Sequence, residues 1–179
     1  IISHSELCEI TARDNKIKSC SSLKGLKKLK KIILDNNEIE SLQPLSNIEL
    51  VSLSARMNKI KELPVLSRSI ERLELYHNCI NTISENQINH LTRLTYLDLG
   101  RNKLQFIDGH HLSNCQFLNT LILSQNQMKS VPTPLHLPML KVLWLSGNNL
   151  NTFQSWVENQ DEHVDRVTDS RIFLPSLKK

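Results

Sequence analysis

The sequence predicts an α/β solenoid: about seven short strands in one parallel concave sheet, backed by a convex side of 3₁₀ turns, short helices and loops. Three observations predict it. Leucine occurs 30 times, isoleucine 16 times and asparagine 17 times in 179 residues, and these residues recur at a fixed short period. Alanine occurs only twice, at Ala12 and Ala55, and glycine four times, which argues against a bundle of regular helices. Apolar residues within each repeat alternate over a few positions only, the pattern of a strand rather than a helix.

The repeat follows the template L-x-x-L-x-L-x-x-N-x-L-x-x-L. Leu7, Ile10, Ala12, Asn15, Ile17 and Cys20 fit it first. Leu29, Ile32, Leu34, Asn37, Ile39 and Leu42 follow, then Leu50, Leu53, Ala55, Asn58, Ile60 and Leu63. The fourth unit is Ile70, Leu73, Leu75, Asn78, Ile80 and Ile83, and the fifth Leu94, Leu97, Leu99, Asn102, Leu104 and Ile107. Leu118, Leu121, Leu123, Asn126, Met128 and Val131 form the sixth. Leu140, Leu143, Leu145, Asn148, Leu150 and Phe153 form the seventh. Successive template asparagines stand 22, 21, 20, 24, 24 and 22 residues apart.

Each template position has a physical reason. In the L-x-L core both apolar residues point inward and the residue between them points out. Strands stacked at about 4.8 Å make seven repeats a sheet roughly 30 Å wide. The chain turns sharply after each strand, and an inward Asn amide can donate to and accept from backbone groups that would otherwise be buried unsatisfied. No repeat buries its apolar face alone; stacking does so.

These residues resemble the leucine-rich repeat family over about residues 7 to 153, and the resemblance implies a horseshoe-shaped solenoid. Early repeats run I-x-x-L-x-x-L-x-x-L, as in Ile17, Cys20, Leu23, Leu26 and Leu29, similar to the short subtype of phosphatase-regulatory subunits with a 3₁₀ turn on the back. Longer backs are expected around Ile88–Leu91 and His111–Asn114. The proline pairs Val131-Pro132 and Leu137-Pro138 favour extended chain. The phrases LTYLDLGRNKL and LPMLKVLWLSGNNL resemble the repeat region of leucine-rich repeat and IQ-motif proteins. That resemblance implies calmodulin binding only through segments outside this chain, because no IQ motif occurs here.

Domain organisation follows the template: residues 1–153 as the array, 154–173 as an insertion, and 174–179 as the start of a truncated further repeat. Leu174-Pro175-Ser176-Leu177-Lys178 echoes Leu137-Pro138-Met139-Leu140-Lys141, which makes Leu177 the first position of that repeat. Ser155-Trp156-Val157-Glu158 reads as a capping box. Trp156, Val157, Val164 and Val167 then share one face of an amphipathic helix. A degenerate terminal cap is the other reading of this stretch, and Ile1-Ile2 reads as the end of a preceding unit.

Secreted members of the family usually carry cysteines clustered in disulfide-bonded caps. Here Cys8, Cys20, Cys79 and Cys115 are scattered, and none of the 17 asparagines starts an N-x-S/T sequon. Both observations favour a reducing, intracellular compartment, cytoplasmic or cytoskeletal, with an axoneme as one setting. No apolar stretch reaches the ~20 residues of a membrane span. The net charge of +4 is too small to indicate nucleic acid by itself.

No phosphate-binding loop, metal-ligand spacing or nucleophile motif is present, and His110-His111 reads as a solvated turn. No catalytic, cofactor-binding or metal-ligating residue is therefore assigned. The expected function is a non-catalytic scaffold segment of a larger intracellular protein, binding a protein partner of unknown identity on the concave face. The alternatives are an extracellular or endosomal receptor of innate recognition and a phosphatase regulatory subunit. The outward strand positions nominate Arg56, Arg72, Tyr76, His77, Tyr96, Arg101, Ile122, Val142 and Trp144, because Trp, Tyr and Arg are the types enriched at binding hot spots. The competing reading for Trp144 is that the acidic insertion folds over it. Five lysines crowd residues Lys24 to Lys31, which reads either as a solvated face or as a contact for an acidic partner.

Overall fold

The computed structural model describes residues 6–151 and, by their backbone, 171–173. Eight three-residue strands lie in sequence order in one parallel sheet: β1 Glu9–Thr11, β2 Lys31–Ile33, β3 Ser52–Ser54, β4 Arg72–Glu74, β5 Tyr96–Asp98, β6 Thr120–Ile122, β7 Val142–Trp144 and β8 Arg171–Phe173. The register is uniform from β1 to β7: Ile10, Ile32, Leu53, Leu73, Leu97, Leu121 and Leu143 are paired in turn. Their neighbours two residues on complete the inward pair, and from Leu34 to Leu145 all are buried. One continuous apolar core runs the length of the stack.

The inward asparagines form a ladder that ties each turn to the one before. Asn102 is typical: Ile80 N donates to its Oδ1 at 3.0 Å, and its Nδ2 donates to the carbonyls of Leu75 and Leu99, both at 3.0 Å. Asn37, Asn58, Asn78, Asn126 and Asn148 each accept in the same way, from Ile17, Ile39, Ile60, Leu104 and Met128. Asn15 departs from the pattern. It is exposed and among the described residues its side chain donates only to Arg13 O at 2.7 Å, and Leu7 in the same repeat is 38% exposed. The first repeat is covered on one side only among the described residues.

The sharp turn after each strand places the residue before the template Asn in the left-handed region. Asp14, Asn36, Met57, His77, Arg101, Gln125 and Gly147 all have φ between 51° and 71°. Only one of the seven is glycine, so the ladder holds six side chains in a conformation they rarely adopt.

The convex side matches the repeat lengths. 3₁₀ turns at Ser21–Leu23 and Gln43–Leu45 back the short repeats, and helix α1 (Glu85–Ile88) with a 3₁₀ turn at Gly109–Leu112 backs the 24-residue ones. The sixth repeat has no helix on its back, in keeping with its prolines. There the next unit approaches so closely that a Cβ on Gly109 would lie 1.9 Å from the Pro134 carbonyl oxygen.

The eighth strand falls within residues 154–173, the stretch expected to be an insertion. Ile172 pairs with Leu143, so the seventh repeat is 29 residues long. In the sequence, Ile172 and Leu174 fall at the fourth and sixth template positions. Asp169 replaces the leading Leu and Leu177 the Asn, which hides the unit from a template search. The amphipathic helix expected from residues 155 to 167, its contact with Trp144, and residues 1–5 and 174–179 lie outside the described residues.

Candidate protein-binding face

The concave sheet divides into a charged half and an apolar half. From β1 to β4 the outward charges are paired with one another. Arg13 Nε lies 3.3 Å from Asp35 Oδ2, and Asp35 Oδ1 accepts from Ser54 Oγ at 2.5 Å and from Arg56 N at 3.0 Å. Glu74, only 8% exposed, takes both central guanidinium groups: Arg56 through an Nη2 contact, and Arg72 through Nε at 2.6 Å. The Arg72 guanidinium also stacks 3.7 Å from the centre of the Tyr96 ring, a cation–π contact between neighbours in the register.

Asp98 stands next to Glu74 in the register and is 6% exposed. Its Oδ1 accepts from Gly100 N at 2.9 Å. Burial pushes its carboxyl above the ordinary range, an effect reduced by the Gly100 amide and by the charges of Arg56 and Arg72. Tyr76 and His77 meet edge to face at 6.0 Å, and among the described residues Arg56 Nε and His77 Nδ1 are buried without a hydrogen-bond partner.

The structure brings Arg56, Arg72, Tyr76, His77 and Tyr96 together on adjacent strands and turns. Arg101 is exposed on its left-handed turn. Val142 is half-buried and Trp144 is 39% exposed on β7. Ile122 corrects the expectation that it offers apolar surface: it is 7% exposed, because Asp98 and Trp144 stand opposite it on both neighbouring strands. The sequence reading also passed over Asp35, Glu74 and Asp98, the acids that neutralise the face. Arg72 and Glu74 lie two residues apart on one strand and therefore on one face, the signal that marks such a pair.

The rims carry ion pairs between repeats. Lys59 and Lys61 reach Glu38 and Glu40 at 2.9 and 2.7 Å, and the hydrogen bond and charge of each lysine hold its partner carboxyl below the ordinary range. Three lysines of the dense run are paired in the same way: Lys28 with Glu6, Lys30 with Glu49 and Lys31 with Glu9. Arg93 is paired with Glu71.

The four cysteines are free thiols, and burial pushes the Cys115 thiol up to about 12. His110 and His111 sit in a 3₁₀ turn whose start is capped by Asp108, which accepts from His110 N at 2.9 Å. Among the described residues no three His, Cys, Asp or Glu side chains are grouped to hold a metal, and no helix is long and apolar enough to cross a membrane.

The family described as Leucine rich repeat matches residues 66–104 and 92–150. Rat lumican is 34% identical over 136 residues, 71% of this chain and 39% of lumican. Human fibromodulin is 30% identical over 139 residues, 74% of this chain and 36% of fibromodulin. Rat osteomodulin is 32% identical over 154 residues, 80% of this chain and 35% of osteomodulin. The chain thus spans little more than a third of the length of these relatives. Two Listeria monocytogenes structures share the fold. An internalin (inlF) gives a TM-score of 0.80 at 24% identity, over 98% of this chain and 49% of that one. Internalin C2 gives 0.77 at 22%, over 94% and 71%.

The relatives overturn the expected intracellular location. Lumican, fibromodulin, keratocan and osteomodulin are secreted proteins of the extracellular matrix, and they give no support to a ciliary setting or to the IQ-motif resemblance. Both compartment signals were absences, and the template accounts for part of them, since Leu, Ile or Met rather than Ser or Thr stands two residues after each template Asn. The template asparagines from Asn37 to Asn148 are committed to the ladder, and Cys20 and Cys115 are buried, donating to the carbonyls of Ser41 and Ile88. Repeats of this kind are protein-interaction scaffolds. By its seven in-register templates, its stacked parallel strands and these relatives, the chain belongs to the leucine-rich repeat family.

Proposed function

We propose that this chain is an extracellular recognition segment that binds a protein partner on its concave face. Tyr96, Val142 and Trp144 supply the apolar contact, and Arg56, Arg72, Tyr76, His77 and Arg101 its polar flank. The observation that carries this reading is the division of the sheet. Charges from β1 to β4 are paired within the face, whereas beside them Tyr96, stacked on Arg72, and Val142 are half-buried and Trp144 is 39% exposed. Amphipathic aromatics with a fixed orientation are the type of group that anchors protein interfaces. Ile122 supports the platform from below rather than touching a partner.

Photo-crosslinking tests the reading. In the full-length protein, Tyr96→benzoylphenylalanine places the reactive group on the concave sheet. Phe106→benzoylphenylalanine places it at a side chain that is 58% exposed outside the strands. Incubated with extracellular matrix proteins and illuminated, the first variant is expected to give a discrete protein adduct and the second none. Adducts from position 106 alone, or equal labelling from both, would contradict concave binding. The setting is tested by expressing the complete gene product in cultured cells: recovery in the medium is expected, and retention in the cytosol contradicts it.

A further inference from the structure

The positive charge of the chain is not spread along it. Residues 1–31 hold eight of the 22 lysines and arginines against three of the 18 acids, so the remainder carries 14 basic and 15 acidic residues. The whole excess therefore lies in the first repeat and the edge of the second. Three leucines fix how it is displayed. Leu23, Leu26 and Leu29 are turned inward by successive tight turns, with Leu26 N donating to Leu23 O at 3.1 Å and Leu29 N to Leu26 O at 3.0 Å. Lys24, Lys27, Lys28 and Lys30 between and beside them are all exposed. Gly25, with φ at +130° and nothing within 4 Å of where a Cβ would stand, is an open apex between the first two.

We infer that Lys24, Lys27, Lys28 and Lys30 form a docking strip for a linear sulfated polysaccharide of the extracellular matrix. The inference rests on the extracellular setting proposed above. Lys28 and Lys30 are paired with Glu6 and Glu49, which are more than 70% exposed at the side chain. Pairs this exposed hold their partners weakly, so a denser anion can displace the carboxylates. Among the described residues Lys24 and Lys27 are in no ion pair.

The composition of this part of the chain selects the ligand class. No aromatic residue precedes Tyr76. The strip therefore offers no ring on which nucleic-acid bases could stack, no interfacial aromatic to seat it in a membrane, and no aromatic anchor for a protein. What it offers is a row of ammonium point charges, which suits sulfate groups whose charge is fixed and whose spacing along a chain is regular.

The test is retention of the full-length protein on immobilised heparin under a salt gradient, with two double variants that lose the same charge. Lys24→Ala with Lys27→Ala strips the apex. Lys59→Ala with Lys61→Ala strips the paired rim. We expect the parent to be retained and the first variant to elute at lower salt, about tenfold weaker near physiological ionic strength, while the second elutes close to the parent. Soluble heparin should compete, and desulfated heparin and polyglutamate should not. Failure of the parent to bind overturns the inference, as does an equal shift of both variants, which would reflect net charge alone. Equal competition by polyglutamate or single-stranded DNA overturns the ligand class, in favour of an acidic protein or a nucleic acid. Retention on heparin is measured on purified protein and does not depend on compartment. Recovery of the gene product from the cytosol would overturn the extracellular setting, and with it the matrix as the source of the ligand, but not the affinity of the strip for sulfated chains.

Discussion

A single amide illustrates how the repeat is held at the residue scale. Asn102 spends its Oδ1 on Ile80 N and its Nδ2 on the carbonyls of Leu75, Leu99 and Gly100, at 3.0 to 3.2 Å. Asn102→Ala orphans these buried groups and is expected to reduce stability by roughly 1–3 kcal/mol. Asn151→Ala, at an exposed site, should stay within about 0.5 kcal/mol. Urea midpoints of the two variants check this, and equal midpoints would refute it. The inward Asn was legible in the sequence because its spacing is regular. The conformation of the residue before it was not, because six different side chains occupy one left-handed site. Gln125, exposed with φ at 55°, stands where the following repeat has Gly147. Gln125→Gly is expected to relieve strain and raise stability by roughly 0.5–1 kcal/mol, seen as a higher melting temperature. A lower one would show that the turn tolerates the side chain without strain.

Strands β1 to β7 could be placed at the scale of elements because alternation and the fixed period agree. β8 could not, because Asp169 and Leu177 break the template on either side of Ile172 and Leu174. Close approaches between convex backs are invisible to any periodic pattern, as at Gly109. Gly109→Ala drives a methyl into the Pro134 carbonyl and is expected to cost about 1–3 kcal/mol, measured by urea unfolding. An unchanged midpoint would mean that the two backs separate freely. The acids of the concave sheet were missed for a different reason: outward positions read as solvent-facing, yet neighbouring side chains bury Glu74 and Asp98. Because burial in the folded protein holds the pKa of Asp98 above its ordinary value, its contribution to stability is complete below the ordinary carboxylate range and is lost as pH rises through the raised value. Asp98→Asn keeps an acceptor for Gly100 N without the charge. It is therefore expected to stabilise the protein at pH 7 and to make no difference near pH 3, where both side chains are neutral, about one unit below the free-acid value. A loss of stability at pH 7 would mean that Arg56 and Arg72 outweigh the burial.

The whole molecule is a stack whose two faces differ in role. The convex backs and the asparagine ladder tie the repeats together, and the concave sheet offers a surface that runs from self-paired charge to partly exposed aromatic groups. Sequence spacing sufficed to identify the solenoid, and alternation sent Trp144 outward as found. Compartment was misread because it was read from two absences, whereas the relatives are secreted proteins. The central claim is that the concave surface anchors a protein partner through Trp144. The measurement that tests it most directly is a titration of the partner captured at position 96 with folded Trp144→Ala and Lys141→Ala proteins. Lys141 is exposed at the rim, three residues from Trp144. Truncating an anchor typically costs about 2 kcal/mol or more of binding, so Trp144→Ala should weaken the complex at least about thirtyfold while Lys141→Ala leaves it nearly unchanged. Binding by Trp144→Ala indistinguishable from the parent would contradict the account.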